Sequence, residues 1–156
     1  MIDFIARSVV FTGKIELVGP VELVFPLFSP LGEKHWVPDW EPELLHPHGV
    51  AWEEGQIFRT REETGDAVWI VTRLDRANHR VVYHRVESNR YVARVEVQCR
   101  PVMQDFTEAT IIYAFVGLSE SGNQEIAAMT EPFYAAKMER WTKWINDHLS
   151  ARRREP

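Results

Sequence analysis

Polar and apolar residues alternate from residue 7 to residue 17, with Val9, Phe11, Ile15 and Leu17 on one side and Ser8, Thr12, Lys14 and Glu16 on the other. A period of two marks a half-buried strand. Gly19-Pro20 ends it, and residues 21–27 suit one or two helical turns, opened by Pro20 and limited by Pro26. In Ser29-Pro30-Leu31-Gly32-Glu33 a cap residue precedes a proline at the first helical position and an acid in the first turn. This predicts a second short helix over 30–36, stopped by Pro38. The stretch from there to about residue 49 holds Trp40, Pro42 and Pro47 and is expected to be an ordered loop pinned by its aromatics.

From residue 56 the pattern becomes that of a meander. Segments 56–61, 67–75, 80–88, 91–100 and 106–118 are rich in Val, Ile, Thr, Tyr and Trp. Turn signals separate them at Glu63-Thr64-Gly65-Asp66, Arg76-Ala77-Asn78, Ser88-Asn89 and Arg100-Pro101. In the fourth segment Tyr91, Ala93, Val95 and Val97 alternate with Arg94, Glu96 and Gln98, as in an antiparallel sheet with one wet face. A helical stretch over 119–129 follows, then a stronger helix capped by Thr130 and running to about residue 150. The alternative is one long helix kinked at Pro132. The apolar stripe of the last helix is Phe133, Tyr134, Met138, Trp141, Trp144, Ile145 and Leu149.

These elements predict a single α+β domain over residues 1–156: a curved antiparallel sheet of about six strands wrapped on a long C-terminal helix, with two short helices after the first strand. One helix against one sheet leaves a cleft between them. The composition is that of an ordinary globular protein, with 45% hydrophobic and 26% charged residues, but six Trp, eight Phe and four Tyr exceed what a plain core needs. A net charge of −5 argues against nucleic-acid binding, and the Arg152-Arg153-Arg154 run is too short for a polybasic patch. The lone Cys99 can form no internal disulfide and shares a face with apolar strand positions, so it is expected in the core. No leader begins the chain and no apolar run would span a bilayer, so a soluble, cytoplasmic protein without integral membrane association is expected.

The order of elements resembles the helix-grip fold of the START-like superfamily, also called SRPBCC or Bet v 1-like. Within it the chain looks most like the polyketide cyclase/dehydrase and lipid-transport branch. The residues that carry the resemblance are Val24-Phe25-Pro26-Leu27-Phe28-Ser29-Pro30, Gly32-Glu33, Trp36, Pro38 and Trp40, then Gly122-Asn123 before the last helix and Phe133, Met138 and Trp141 along it. The resemblance implies a cavity between sheet and long helix that accepts apolar or amphipathic small molecules, and it does not choose among carriers, receptors and cyclases.

Candidate chemistry follows from position. Lys137 falls one turn after Phe133 and one turn before Trp141, inside the apolar stripe. There it would anchor a ligand carboxylate or phenolate, unless its stem packs and its ammonium reaches water. His84, between Tyr83 and Arg85, is a second polar candidate for the cleft. Arg73, Arg85, Arg94 and Glu96 are expected on the solvent face, with the alternative that a few cross into the cleft because the parity of segments 80–88 and 91–100 is ambiguous, and His46-Pro47-His48 lacks the spacing of a metal site. The aromatics Trp36, Trp40, Trp69, Tyr83, Tyr113, Phe133 and Trp141 lie on every element that would border a cleft, and together with Lys137 and His84 they form the expected ligand-binding set. No residue is assigned a catalytic role, and no metal or cofactor is expected. The first reading is a binding protein for an apolar, aromatic or lipid-like small molecule. The second is a cyclase, dehydratase or isomerase with Lys137, His84 or a Tyr as acid–base, and the third is a homodimer packed through surface aromatics.

Overall fold

Strand β1 (Ser8–Leu17) forms where the alternation predicts it and buries Phe11, Ile15 and Leu17. The computed structural model describes residues 3–63 and 65–154. Met1 and Ile2, where a leader would begin, and Thr64 of the predicted turn at 63–66 therefore lie outside the described residues. After β1 comes α1 (Val21–Val24), continued by a 3-10 turn over Phe25–Phe28. The second predicted short helix is a 3-10 turn over Gly32–His35. Ser29 stabilises that turn from outside: its hydroxyl donates to Pro26 O and accepts from Gly32 N–H.

The sheet has seven strands, one more than the pattern suggests. The addition is β2 (Glu43–His46), a short edge strand inside the proline-rich stretch. Four residues with a register break against their neighbour carry no readable alternation. Then follow β3 (Ile57–Glu62), β4 (Gly65–Asp75), β5 (Arg80–Glu87), β6 (Tyr91–Met103) and β7 (Phe106–Gly117). The sheet is antiparallel in the order β1-β7-β6-β5-β4-β3-β2. Strand β6 runs past Pro101, where a turn is expected from sequence. Cys99 N–H donates to His79 O, and Pro101 points its missing donor to the same side, beyond the end of β5 where no partner remains. The proline removes no ladder bond there.

Helix α2 (Glu120–Ala128) is capped by Ser119, whose hydroxyl accepts from Gly122 N–H. A Cβ on Gly122 would sit 1.7 Å from Arg90 O, so only glycine lets α2 lie on the β5–β6 turn. The Asn123 amide accepts from Arg7 N–H and donates to Ile5 O, pinning the approach to β1. Thr130 caps α3 (Glu131–Arg153), accepting from Phe133 N–H, so the two helices are separate. Among the described residues no helix is long and apolar enough to cross a membrane.

Helix α3 packs on the inner face of the sheet. Tyr134 stacks on Phe11 at 5.2 Å, and Trp141 meets Tyr113 edge-on at 6.1 Å. Cross-strand register places Phe11, Tyr113, Val95, Tyr83 and Val71 in one row across this face. The next row runs Phe58, Trp69, Arg85, Ala93 and Phe115. These two rows are the floor of the site.

Candidate functional site

Between the inner face and α3 lies a cavity of about 880 Å³, opening beneath the chain that links the Gly32–His35 turn to β2. Three tryptophans wall it: Trp40, Trp69 and Trp141. Their rings are held by packing and by their polar tips. The Trp40 indole N–H donates to Pro30 O at 2.7 Å and that of Trp69 to the Thr60 hydroxyl at 3.0 Å. Trp69 also stacks on Phe58 at 5.5 Å with the planes within 9°. Such walls exist before any ligand arrives, so little ordering entropy is lost on binding.

Two of the ionisable groups that line this cavity come from α3 and from the Gly32–His35 turn. Lys137 comes from α3 and places Nζ 4.0 Å from the Tyr113 ring centroid and 5.4 Å from that of Trp141. No carboxylate lies within 4.0 Å of it among the described residues. Burial first, then the Arg85 and Arg140 cations, push its pKa down to about 7, with Glu33 and Glu62 pulling the other way. Glu33 comes from the Gly32–His35 turn, and burial pushes its carboxyl well above the usual range while Lys137 pulls it back. Each is driven toward its neutral form by loss of water and restored in part by the other. An amine brought down to about 7 and a carboxyl pushed upward by burial offer both donor and acceptor atoms to a ligand. That pairing suits recognition of a polar ligand group, and equally a proton transfer.

Arg85 is a charged strand residue that crosses into the cleft, the alternative that the ambiguous parity of its strand leaves open. It sits on the inner face between Trp69 and the small Ala93, not in solvent. Its guanidinium lies 5.2 Å from the Trp69 ring centroid and makes ion pairs with Glu62 at 3.3 Å and Glu87 at 2.9 Å. The network continues on both sides. Thr60 donates to Glu62, and Glu87 accepts from Arg90, which also binds Glu125 on α2. Parity requires this placement, because Arg85 is two residues from inward-facing Tyr83. Its burial is tolerated because two carboxylates from β3 and β5 neutralise it.

Of the nine expected ligand contacts, the structure brings six together on the cavity: Trp40, Trp69, Tyr83, Tyr113, Lys137 and Trp141. Trp36 is displaced from the mouth into the core, where its N–H donates to Leu27 O and its ring packs on Phe28 and Trp141. His84 faces the opposite side of the sheet, with Nδ1 2.9 Å from the Thr72 hydroxyl, since its neighbours Tyr83 and Arg85 take the inner face. Phe133 lies outside this cavity and is 55% exposed. Sequence reasoning misses Glu33, Glu62 and Arg85 as members of the site. Cys99 is buried as expected, and burial pushes its thiol up to about 12.

Tyr83 joins the site to the first short helices. Its hydroxyl donates to Phe28 O at 2.7 Å and accepts from the Trp52 indole N–H at 3.1 Å. Tyr83→Phe leaves both partners unpaired inside the protein and is expected to lower unfolding free energy by about 1–3 kcal/mol. Urea denaturation measures this directly, and an unchanged midpoint would show that water reaches Phe28 O.

A single sheet gripping one long helix around such a cavity is a helix-grip fold. Solved structures agree. The chain is similar to norcoclaurine synthase from Thalictrum flavum in complex with dopamine and hydroxybenzaldehyde, at TM-score 0.64 and 14% identity over 92% of this chain and 89% of that one. It is similar to the Zhui aromatase/cyclase from a Streptomyces strain at TM-score 0.63 and 15% identity, over 92% and 96% of the two chains. A third likeness is to Ara h 8.0201, at TM-score 0.67 and 12% identity over 92% and 99%. These identities establish the fold alone. No protein-family model matches the chain, and no curated protein matches it in sequence.

Proposed function

We propose that the protein binds an amphipathic aromatic small molecule in the 880 Å³ cavity, its rings against Trp40, Trp69 and Trp141 and its polar group toward Lys137 and Glu33. The observation that carries this reading is Lys137: a desolvated amine with no carboxylate partner within 4.0 Å among the described residues, set over an aromatic ring in a preformed cavity. A lysine serving the fold would pair with an acid or reach bulk water. The mouth favours an aromatic amphiphile over a plain acyl chain, because Glu41, Glu43, Arg59 and Arg61 line it and would strand a long apolar tail among charges. The solved norcoclaurine synthase complex holds dopamine and hydroxybenzaldehyde, two aromatic molecules, in a protein of the same fold.

A second reading is an acid–base enzyme of the cyclase, dehydratase or isomerase kind. The facing pair Glu33 and Lys137, one pushed up and one brought down to about 7, favours it. Native mass spectrometry of gently purified protein, followed by solvent extraction, tests the binding role. Retention of a discrete aromatic amphiphile is the expected result. Retention of a straight acyl chain, or failure to hold any member of a panel of aromatic amphiphiles added at millimolar concentration, would overturn it. Conversion of a retained compound during incubation, absent in Lys137→Met, would move the reading from carrier to enzyme.

The contribution of the tryptophan wall has its own test. Trp40→Ala is expected to weaken binding of anilinonaphthalene sulfonate, an aromatic sulfonate probe, by about tenfold through lost ring contact. Fluorescence titration measures it, and unchanged affinity would place the probe elsewhere.

A further inference from the structure

The interior continues behind Lys137. A second cavity of about 180 Å³ lies between the start of α3 and strands β1, β6 and β7. The rings of Phe11, Tyr91, Phe115, Phe133 and Tyr134 wall it. They present both faces and edges: Tyr91 meets Phe115 at 88°, while Phe11 stacks on Tyr134 at 20°. Phe133 is more than half exposed, so the cavity reaches the surface at the joint between α2 and α3, beside Met129. Three side chains, Arg85, Tyr113 and Lys137, border both cavities and form the partition between them.

Size and charge set this compartment apart. An apolar cavity of about 150 Å³ holds one benzene ring, so 180 Å³ takes a single ring with a small substituent. The outer cavity is bordered by Glu33, Asp39, Glu41, Glu43, Glu62 and Glu63. Among the described residues no carboxylate borders the inner one, and its two charged side chains are both cations. Among the described residues, Arg85 Nε is buried without a hydrogen-bond partner and Lys137 has no carboxylate within 4.0 Å. Arg85, whose other edge is ion-paired to Glu62 and Glu87, keeps one unpaired N–H, and with the Lys137 amine it gives the end of an aromatic box two donors for the carboxylate of a small aromatic ligand.

We infer that the inner cavity is a separate binding site for a monocyclic aromatic acid, its ring among Phe11, Phe115 and Phe133 and its carboxylate turned to Lys137 and Arg85. The site goes beyond the outer-cavity reading and stands or falls independently of it. A molecule bound here and one bound outside would face each other across Lys137, so the protein has room for two aromatic groups on either side of one amine.

Benzoate is the probe, followed by NMR of the Met129 methyl and the tryptophan indole N–H groups. At millimolar benzoate the Met129 methyl and the Phe133 amide are expected to shift saturably while the Trp40 and Trp69 indoles stay fixed. Benzylamine, the same ring with the opposite charge, is expected to bind at least about tenfold more weakly, and Lys137→Met to weaken benzoate by about tenfold. Phe133→Trp narrows the cavity at a half-exposed position the fold can spare. It is expected to abolish the benzoate shifts while leaving anilinonaphthalene sulfonate affinity unchanged. Benzoate shifts confined to Trp40 and Trp69, equal affinity for benzylamine, or no saturable shift at Met129 would each overturn the inner site. The sulfonate titration reads the outer cavity separately.

Discussion

Replacing Lys137 by methionine raises the melting temperature by roughly 5–10 °C at pH 7. The unfolded chain holds this amine at its ordinary value of 10.5, and the folded protein holds it at about 7. Between those values the unfolded state carries a proton that the folded state lacks, so unfolding free energy rises with pH through that window and is lowest at and below pH 7. Full conversion of the shift would exceed 4 kcal/mol, and the side chain's partial exposure to the cavity reduces the penalty to about 2–3 kcal/mol. Methionine fills similar volume without the charge. Urea unfolding of both proteins at pH 7 and pH 9.5 measures the effect. The variant is expected to gain most at the lower pH and to lose the upward slope. A variant less stable than the parent at pH 7 would mean that the ammonium makes a stabilising contact and the amine is structural.

Gly32→Ala is expected to destabilise the protein by about 3 kcal/mol or more and to weaken aromatic-probe binding by about tenfold. A Cβ there would lie 2.0 Å from Pro26 O and 2.9 Å from Leu27 Cα, both backbone atoms that cannot step aside alone. The Gly32–His35 turn must therefore lift, carrying Glu33 out of the cavity and pulling the Trp36 N–H from Leu27 O. Stability and probe affinity should fall together, because the turn carries Glu33 on the cavity wall and leads directly to the core ring of Trp36. A variant that melts with the parent but binds no probe would separate the two roles.

Much of this arrangement is legible in the sequence because it is local. Strand β1, the β4 to β7 meander and the Ser119 and Thr130 caps follow from alternation and cap chemistry within a few residues. The place of Lys137 also follows, from one-turn spacing to Phe133 and Trp141 on a helix whose buried side is evident. What is not legible depends on distant partners. Arg85 is inside because Glu62 and Glu87 meet it there and Ala93 leaves room beside it. Glu33 faces the cavity because Gly32 passes against Pro26, which polar loop composition does not reveal. Trp36 and Trp40 look alike in sequence, yet the turn between them sends one to the core and the other to the wall. His84 goes outward by the same parity that brings Arg85 in.

Whether the space between the sheet and α3 receives an aromatic amphiphile can be read from the indole N–H signals during titration with anilinonaphthalene sulfonate. Saturable shifts are expected at Trp40, Trp69 and Trp141, with Trp144 fixed as the reference outside the cavity. Saturable shifts at Trp144 with Trp40, Trp69 and Trp141 unmoved would contradict binding there, since the probe would then sit on the surface and the cavity would be closed to it.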